Sequence, residues 1–409
     1  MNSGCIEDIA DAIIDYRGRT PPKSSDGIKL LTAKVIKDGA IDETRLEYIS
    51  EETYAWWMRR GYPQLGDILL TTEAPLGEVA LLRSTEPVAL AQRVILLRGN
   101  PSIVDQLYLF AALRSPLLQA RLRQRATGTT VLGIKQRELR QVEVPLPPLP
   151  TQRKIAAILS AYDDLIENNN RRIKLLEEMA ERIYREWFVD FRYPGHENIP
   201  LIDSELGPIP QGWRWQRLHE LAAESRESVD PAAIDPATPY VGLEHMPARS
   251  IAISDWGSAV EAGSRKYRFM SGDVLFGKIR PYFHKVGVPP VDGICSTDAI
   301  VIRVRKPGYF GLTLAVVSSD AFVQVAVQTS QGTKMPRANW TVLEQYPIAV
   351  PPPMLVERFD ALARDSVTLI HRLVMSNRLL RSTRDLLLPR LISGAVDVTD
   401  VDIAMPEAA

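Results

Sequence analysis

This chain repeats itself, and that constrains its fold more than any other feature. Gly66-Asp67-Ile68-Leu69-Leu70 recurs as Gly272-Asp273-Val274-Leu275-Phe276, Gly128-Thr129 as Gly332-Thr333, and Pro147-Pro148-Leu149 as Pro352-Pro353-Met354. The offsets are 206, 204 and 205 residues, in the same order along a chain of 409. Matches at one period mark a structural unit used twice. Each copy reads as a globular module of roughly 150 residues, then a proline-rich hinge, then a long helical pattern.

The modules read as mixed. Val79–Leu82, Val94–Leu97, Val286–Val288 and Ala299–Val304 are short, apolar or β-branched, and bounded by Gly, Pro, Asp or Asn, as strands are. Asp105–Gln124 and Leu312–Val327 read as helices. No βαβ alternation or glycine fingerprint is present, which excludes a doubly wound nucleotide fold.

The long helices are the clearest local signal. From Thr151 to Phe191, apolar residues recur at Ile155, Leu159, Tyr162, Ile166, Ile173, Leu176, Ala180, Ile183 and Trp187, in steps of three and four. The seam is interrupted at Asn169, within Asn168-Asn169-Asn170. Two explanations stand: a buried asparagine that fixes register, or a break made by three poor helix formers. A second seam runs through Phe359, Leu362, Leu369, Leu373, Leu380 and Leu387, with Ser376/Asn377 at a polar position, and Pro389 is expected to end it. At 1.5 Å per residue the two helices reach about 60 and 50 Å, a length match suited to antiparallel pairing. The hinges Val144–Pro150 and Val350–Pro353 read as stiff spacers rather than polyproline ligands, with Thr151 expected as a helix N-cap.

A catalytic site is hard to find. The five histidines are scattered, and the two cysteines, Cys5 and Cys295, support neither a zinc site nor a disulfide framework. No nucleophile elbow or P-loop occurs, and neither does the Asn/Asp-Pro-Pro-aromatic tetrapeptide of amino-methyltransferases. Asp163-Asp164 point about 100° apart on a helix and cannot share a proton. No membrane span or signal peptide is visible, so the expected location is cytoplasmic.

Charge is distributed unevenly. The net charge is −1, yet the segment from Arg114 to Arg140 carries +6 and that from Arg265 to Lys285 carries +5. One basic run is ordinarily a solvated face. Two, one per module, point to phosphate neutralisation. The expected nucleic-acid contacts are Arg121, Arg123, Arg125, Lys135 and Arg137 with the flexible Thr127-Gly128-Thr129. In the second copy they are Lys278, Arg280 and Tyr282 with neighbouring His284, and Gly332 with Lys334. Thr151–Arg192 balances eight basic against eight acidic residues, which favours protein packing along that helix.

Several stretches together resemble the specificity subunits of type I restriction-modification systems, over essentially the whole chain. They are Leu149-Pro150-Thr151-Gln152-Arg153-Lys154-Ile155-Ala156, Asn170-Arg171-Arg172, Trp187-Phe188-Val189-Asp190-Phe191, Ser204–Trp213 and Arg384–Gly394. Pro352–Phe359 departs from the pattern in lacking the Gln-Arg spelling of the first helix start. The resemblance implies an α+β fold: two mixed α/β target recognition domains in pseudo-twofold repeat, separated by two long antiparallel coiled-coil helices. The expected division is recognition domains at 1–147 and 213–350, long helices at 148–192 and 351–394, a linker at 193–212 and a tail at 395–409.

The resemblance also implies a non-catalytic subunit with no cofactor of its own. Each domain would read half of a bipartite duplex DNA target. Two adenine-N6 methyltransferase subunits would bring S-adenosylmethionine, and restriction motor-nuclease subunits would bring ATP and magnesium. The alternative from another class is an assembly scaffold that binds protein and makes no sequence-specific DNA contact.

Overall fold

The computed structural model describes residues 2–16, 20–332 and 335–403. The chain divides into two units, one of residues up to Asp164 together with those from Arg381 onward, the other Leu165–Leu380. Both boundaries fall inside a long helix, so each helix contributes residues to both units.

Both units follow one plan. In the first, a four-stranded antiparallel sheet runs in the order Ala10–Asp15, Val94–Gly99, Ile68–Thr72, Leu76–Leu81. In the second the order is Ala222–Ser225, Ala299–Val304, Val274–Gly277, Val286–Gly287. The central strands are continuous apolar runs because both faces of the sheet are covered. Alternate residues project to opposite faces. Ile68, Leu70, Ile95 and Leu97 enter the core under the helices, and Leu69, Val94 and Leu96 enter the core under a second sheet. The second unit divides Val274, Phe276, Ile300 and Ile302 from Leu275 and Val301 in the same way. Each second sheet contains one parallel pair, Ile28–Leu31 with Val88–Leu90, and Pro239–Val241 with Gly293–Cys295. An end-to-start strand pair closes each unit: Asn2–Cys5 with Glu143–Leu146, and Arg214–Arg217 with Pro347–Val350.

The repeated Gly-Asp has a structural role. Gly66 and Gly272 hold positive φ (86° and 96°) at the entry to the central strand. The buried carboxylates that follow each accept a bidentate pair from an arginine on the neighbouring strand, Arg98 to Asp67 at 2.7 and 2.7 Å and Arg303 to Asp273 at 2.9 and 2.7 Å.

Each expected module helix is broken in two, into Gln106–Arg114 and Pro116–Gln124, and into Phe310–Ser318 and Asp320–Gln328. Ser115 and Ser319 make the break by capping the second helix through their side chains. No single helix among the described residues is long and apolar enough to cross a membrane.

The first long helix spans Leu149–Tyr184 and continues as one π turn, Arg185–Val189; the second spans Pro353–Ile392. The helix starts at Leu149, so Thr151 lies in its first turn and is not the cap. Proline is tolerated at these positions because the first N–H groups have no intrahelical acceptor. Buried Gln152 anchors this end: its Nε2 donates to the carbonyls of Ile103 and Pro147, and its Oε1 accepts from the Asp105 N–H. Near the start of the second helix it is Val356 that is buried, in an apolar core, so no glutamine anchor is needed there. Pro389 does not end the distal helix. Burial of Leu388, Leu391 and Ile392 in the first unit's core carries the chain through it.

The asparagine seam is continuous helix. In the second unit, buried Asn169 donates through Nδ2 to Asn377 Oδ1 at 2.9 Å, and Asn377 Nδ2 donates to Asn170 Oδ1 at 2.9 Å. Ile173 packs beside them with Ile370, Leu373 and Val374, so the helices run antiparallel there. Asn377→Leu should cost about 1–3 kcal/mol by leaving Asn169 buried without its partner. Adding Asn169→Leu should recover most of that loss in a urea-denaturation double-mutant cycle. Additive losses would mean the pair is not coupled.

The stretch 193–212 is packed as well as connecting. Tyr193 and Trp213 are buried with ring centroids 5.3 Å apart, and Leu201–Ile202 pairs with Ile209–Pro210. On the distal helix, His371 donates from Nε2 to the Val288 carbonyl at 3.1 Å, and burial lowers its pKa from 6.5. The unfolded chain therefore takes up this proton first as pH falls. Stability should drop as pH is lowered through about 6.5 toward the folded-state value. His371→Gln should flatten that part of the wild-type profile, measured as urea midpoints between pH 7.5 and 5.

Candidate nucleic-acid interface

In the second unit, two segments far apart in sequence meet at one corner. The first leaves the central strand Val274–Gly277, and the second follows the helix Asp320–Gln328. Ile279 pairs with Arg337. The Ala338 N–H donates to the Lys278 carbonyl and the Arg280 N–H to the Pro336 carbonyl, both at 2.8 Å. Gln331 also pairs with Arg337, closing the second loop around Gly332.

The first unit builds the same corner from Thr72, Glu73 and the loop Thr127–Gly133. Thr127 and Gly133 exchange backbone hydrogen bonds at 2.8 and 2.9 Å, Glu73 pairs with Gly133, and the Ile134 N–H donates to the Thr72 carbonyl. Glycine is required at 128, where φ is 120° and a Cβ would lie 2.1 Å from the Val131 carbonyl oxygen.

The expected contact residues occupy different environments. Thr127, Gly128 and Thr129 are exposed on the first loop, and Arg123 and Lys135 are exposed with no side-chain hydrogen bond or ion pair among the described residues. Arg121 is half-buried and donates to the Glu143 carbonyl at 2.6 Å. Arg125 and Arg137 both reach Glu138, at 3.5 and 3.1 Å. Two further members of the basic run are spent elsewhere, Arg114 on Asp163 and Arg140 on Glu7. Asp163 and Glu7 thus offset two of the local +6, and Glu138 is already counted in it.

In the second unit Arg280 and Tyr282 are exposed, Lys278 is half-buried and Gly332 is exposed; Lys334 lies outside the described residues. His284 is only 7% exposed and its Nε2 lies 2.8 Å from the Ser318 carbonyl. Its ring braces the turn from behind. Lys266 is buried against Ser264, Lys285 reaches the Leu243 carbonyl and Arg268 pairs with Glu227, so half of this basic run is committed within the unit.

Sequence reasoning missed several residues at the same corners: Arg337, exposed Met335 and exposed Phe283 in the second unit, and Glu73 with its ion partner Arg93 in the first. The repeat spacing places Glu73 opposite Ile279, and that was the signal available for finding them. Among the described residues, no group of three or more His, Cys, Asp or Glu could hold a metal ion.

Residues 4–178 match the model of the type I restriction modification DNA specificity domain. The MjaIX specificity subunit of Methanocaldococcus jannaschii is 26% identical over 365 residues, covering 86% of this chain and 82% of that protein. The EcoDI specificity subunit of Escherichia coli is 23% identical over 275 residues, which is 62% of this chain and 61% of that protein. The S subunit of a type I restriction-modification system from M. genitalium shares the fold, with a TM-score of 0.55 at 13% identity over 95% of both chains. Duplicated α+β units with matching sheet orders, each running into a long helix, and these likenesses lead to one conclusion: residues 4–178 match a type I restriction modification DNA specificity domain, and the chain as a whole is similar to the specificity subunits of type I restriction-modification systems.

Proposed function

We propose that this chain is the non-catalytic DNA-reading subunit of a type I complex, each unit reading one half of a bipartite duplex target. The observation that carries the reading is the corner built twice from equivalent segments. In each unit an exposed loop with a positive-φ glycine is clamped to the exit of the central strand, with uncommitted cations beside it. Phosphate contacts from such cations hold the duplex, and the loop tips reach base edges. The long helices set the unread gap.

Two adenine-N6 methyltransferase subunits would dock on the helices and carry S-adenosylmethionine. Motor-nuclease subunits would carry ATP and magnesium. The second unit's helices support docking. Leu165, Leu175 and Met179 are 51%, 51% and 59% exposed within about a quarter of the helix circumference, and Leu379 on the distal helix is 70% exposed. Such apolar faces mark interaction sites.

A base-resolution methylation map of the host with and without the gene tests the reading. Loss of one split adenine-methylated motif is expected. An unchanged map from cells in which the chain co-purifies with a methyltransferase would favour the scaffold alternative. Met179→Glu with Leu379→Glu should abolish that co-purification and leave the melting temperature of the chain within about 2 °C of wild type, since exposed substitutions cost little stability. Retained co-purification would remove the helices' outer faces from the docking surface.

A further inference from the structure

The corner of the second unit carries a device that its counterpart lacks. After Arg280 the chain makes one short turn, Pro281–Phe283, that pushes two large aromatic side chains into solvent. Tyr282 is 53% and Phe283 47% exposed, with ring centroids 4.8 Å apart. The turn is rigid. Arg280 and His284, on either side of it, both adopt the left-handed conformation at φ 50°, which residues with a Cβ rarely do. Surrounding contacts hold this geometry in place. The Arg280 N–H donates to the Pro336 carbonyl, the His284 N–H to the Pro281 carbonyl and the Arg249 N–H to the His284 carbonyl, at 2.8, 2.8 and 2.9 Å.

Beneath the turn, Pro281 and the His284 imidazole are buried. Backbone strain held this firmly beside a binding surface is a sign of function. In the first unit Ala74 holds the same φ of 50° before Pro75, but Leu76 and Gly77 follow instead of two aromatics.

The geometry points to Tyr282 and Phe283 as a wedge that enters the base stack of the second half-site and opens one base step. This rests on the DNA-reading function proposed above. Arg280 precedes the aromatic turn, and Lys278 and Arg337 lie on the two backbone segments paired beside it, Arg337 with Asp298 at 3.9 Å, so cations for phosphate contact stand at the same corner as the rings. An apolar side chain inserted at a step unstacks it and bends the duplex. A face-on aromatic replaces the lost stacking whatever the base, because every base offers a π face. A preformed, rigid turn suits this use, since little ordering remains to be done on binding.

The test uses the full chain in its co-purified methyltransferase assembly. Duplexes carry the mapped target with 2-aminopurine placed in turn at each position of the second half-site outside the methylated adenine. Wild type should raise 2-aminopurine fluorescence several-fold at one step. Phe283→Ala with Tyr282→Ala should abolish that rise and weaken binding about 10-fold, in line with the loss of base–aromatic stacking. A probe in the first half-site should respond identically in wild type and variant. Both side chains are exposed, so an unchanged melting temperature checks that the variant folds. Specific binding by wild type with silent probes throughout the second half-site overturns the wedge and leaves the DNA-reading function standing. Absence of specific duplex binding by the wild-type assembly overturns both.

Discussion

Replacing Asp163 by leucine should cost the first unit about 3–5 kcal/mol, the loss expected when one member of a buried ion cluster is removed. Asp163 stands between two arginines. Its Oδ2 accepts from Arg114 Nη1 at 2.7 Å and its Oδ1 from Arg384 Nη1 at 2.5 Å, and the three side chains are only 16%, 14% and 12% exposed. Without the carboxylate, two guanidinium groups remain close together and shielded from water.

The repeat supplies the rescue. The second copy has Ser318, Val367 and Ala180 at the positions 204 residues away, and all three line a mainly apolar cavity of about 590 Å³. The triple variant Arg114→Ser, Asp163→Val, Arg384→Ala should therefore be clearly more stable than Asp163→Leu alone, because no charge shielded from water is left unpaired; Asp385, which loses Arg384, is 61% exposed. Urea denaturation gives both values. A loss below about 1 kcal/mol for Asp163→Leu would show that water reaches the arginines and that the cluster contributes little.

Arg280→Ala with Arg337→Ala should lower affinity for the specific duplex about 100-fold, taking roughly 1–3 kcal/mol for each arginine that reads a base. Discrimination should relax at the second half-site and stay intact at the first. Arg123→Ala makes the contrasting case: as an exposed phosphate contact it should weaken binding to all duplexes alike and reduce the salt slope by about one. Titration of matched and half-site-scrambled duplexes at several salt concentrations separates the two behaviours. Equal losses on matched and scrambled second half-sites would make Arg280 and Arg337 phosphate contacts, and the base reading would then belong to other residues of the corner.

The segments that meet at the two candidate corners were partly legible in the sequence. Gly128-Thr129 and Gly332 lie on the exposed loops, and Arg280 and Tyr282 protrude beside the second of them. Individual charges were misjudged because charge counts along a chain ignore partners across space. Arg140 is spent on Glu7, which lies 133 residues away in sequence. His284 was placed among the contact residues by proximity alone. Alternation around a tight turn buries it while exposing Tyr282 and Phe283. The breaks at Ser115 and Ser319 were not legible, because a helical pattern of apolar residues continues across both serines.

The sequence by itself determined the duplicated architecture, the long helices, several strands of the modules and the resemblance to type I specificity subunits. Those features reside in periodicity, spacing and local spelling, which are properties of neighbours along the chain. Tertiary structure decided whether Asn169 breaks its helix or pairs within it, because its partner Asn377 is 208 residues distant. It also decided which arginines remain free for a ligand, and that residues 278–280 and 336–338 form one surface. A hydrogen bond or ion pair depends on groups brought within about 3 Å, and only the folded chain sets distances between residues so remote in sequence.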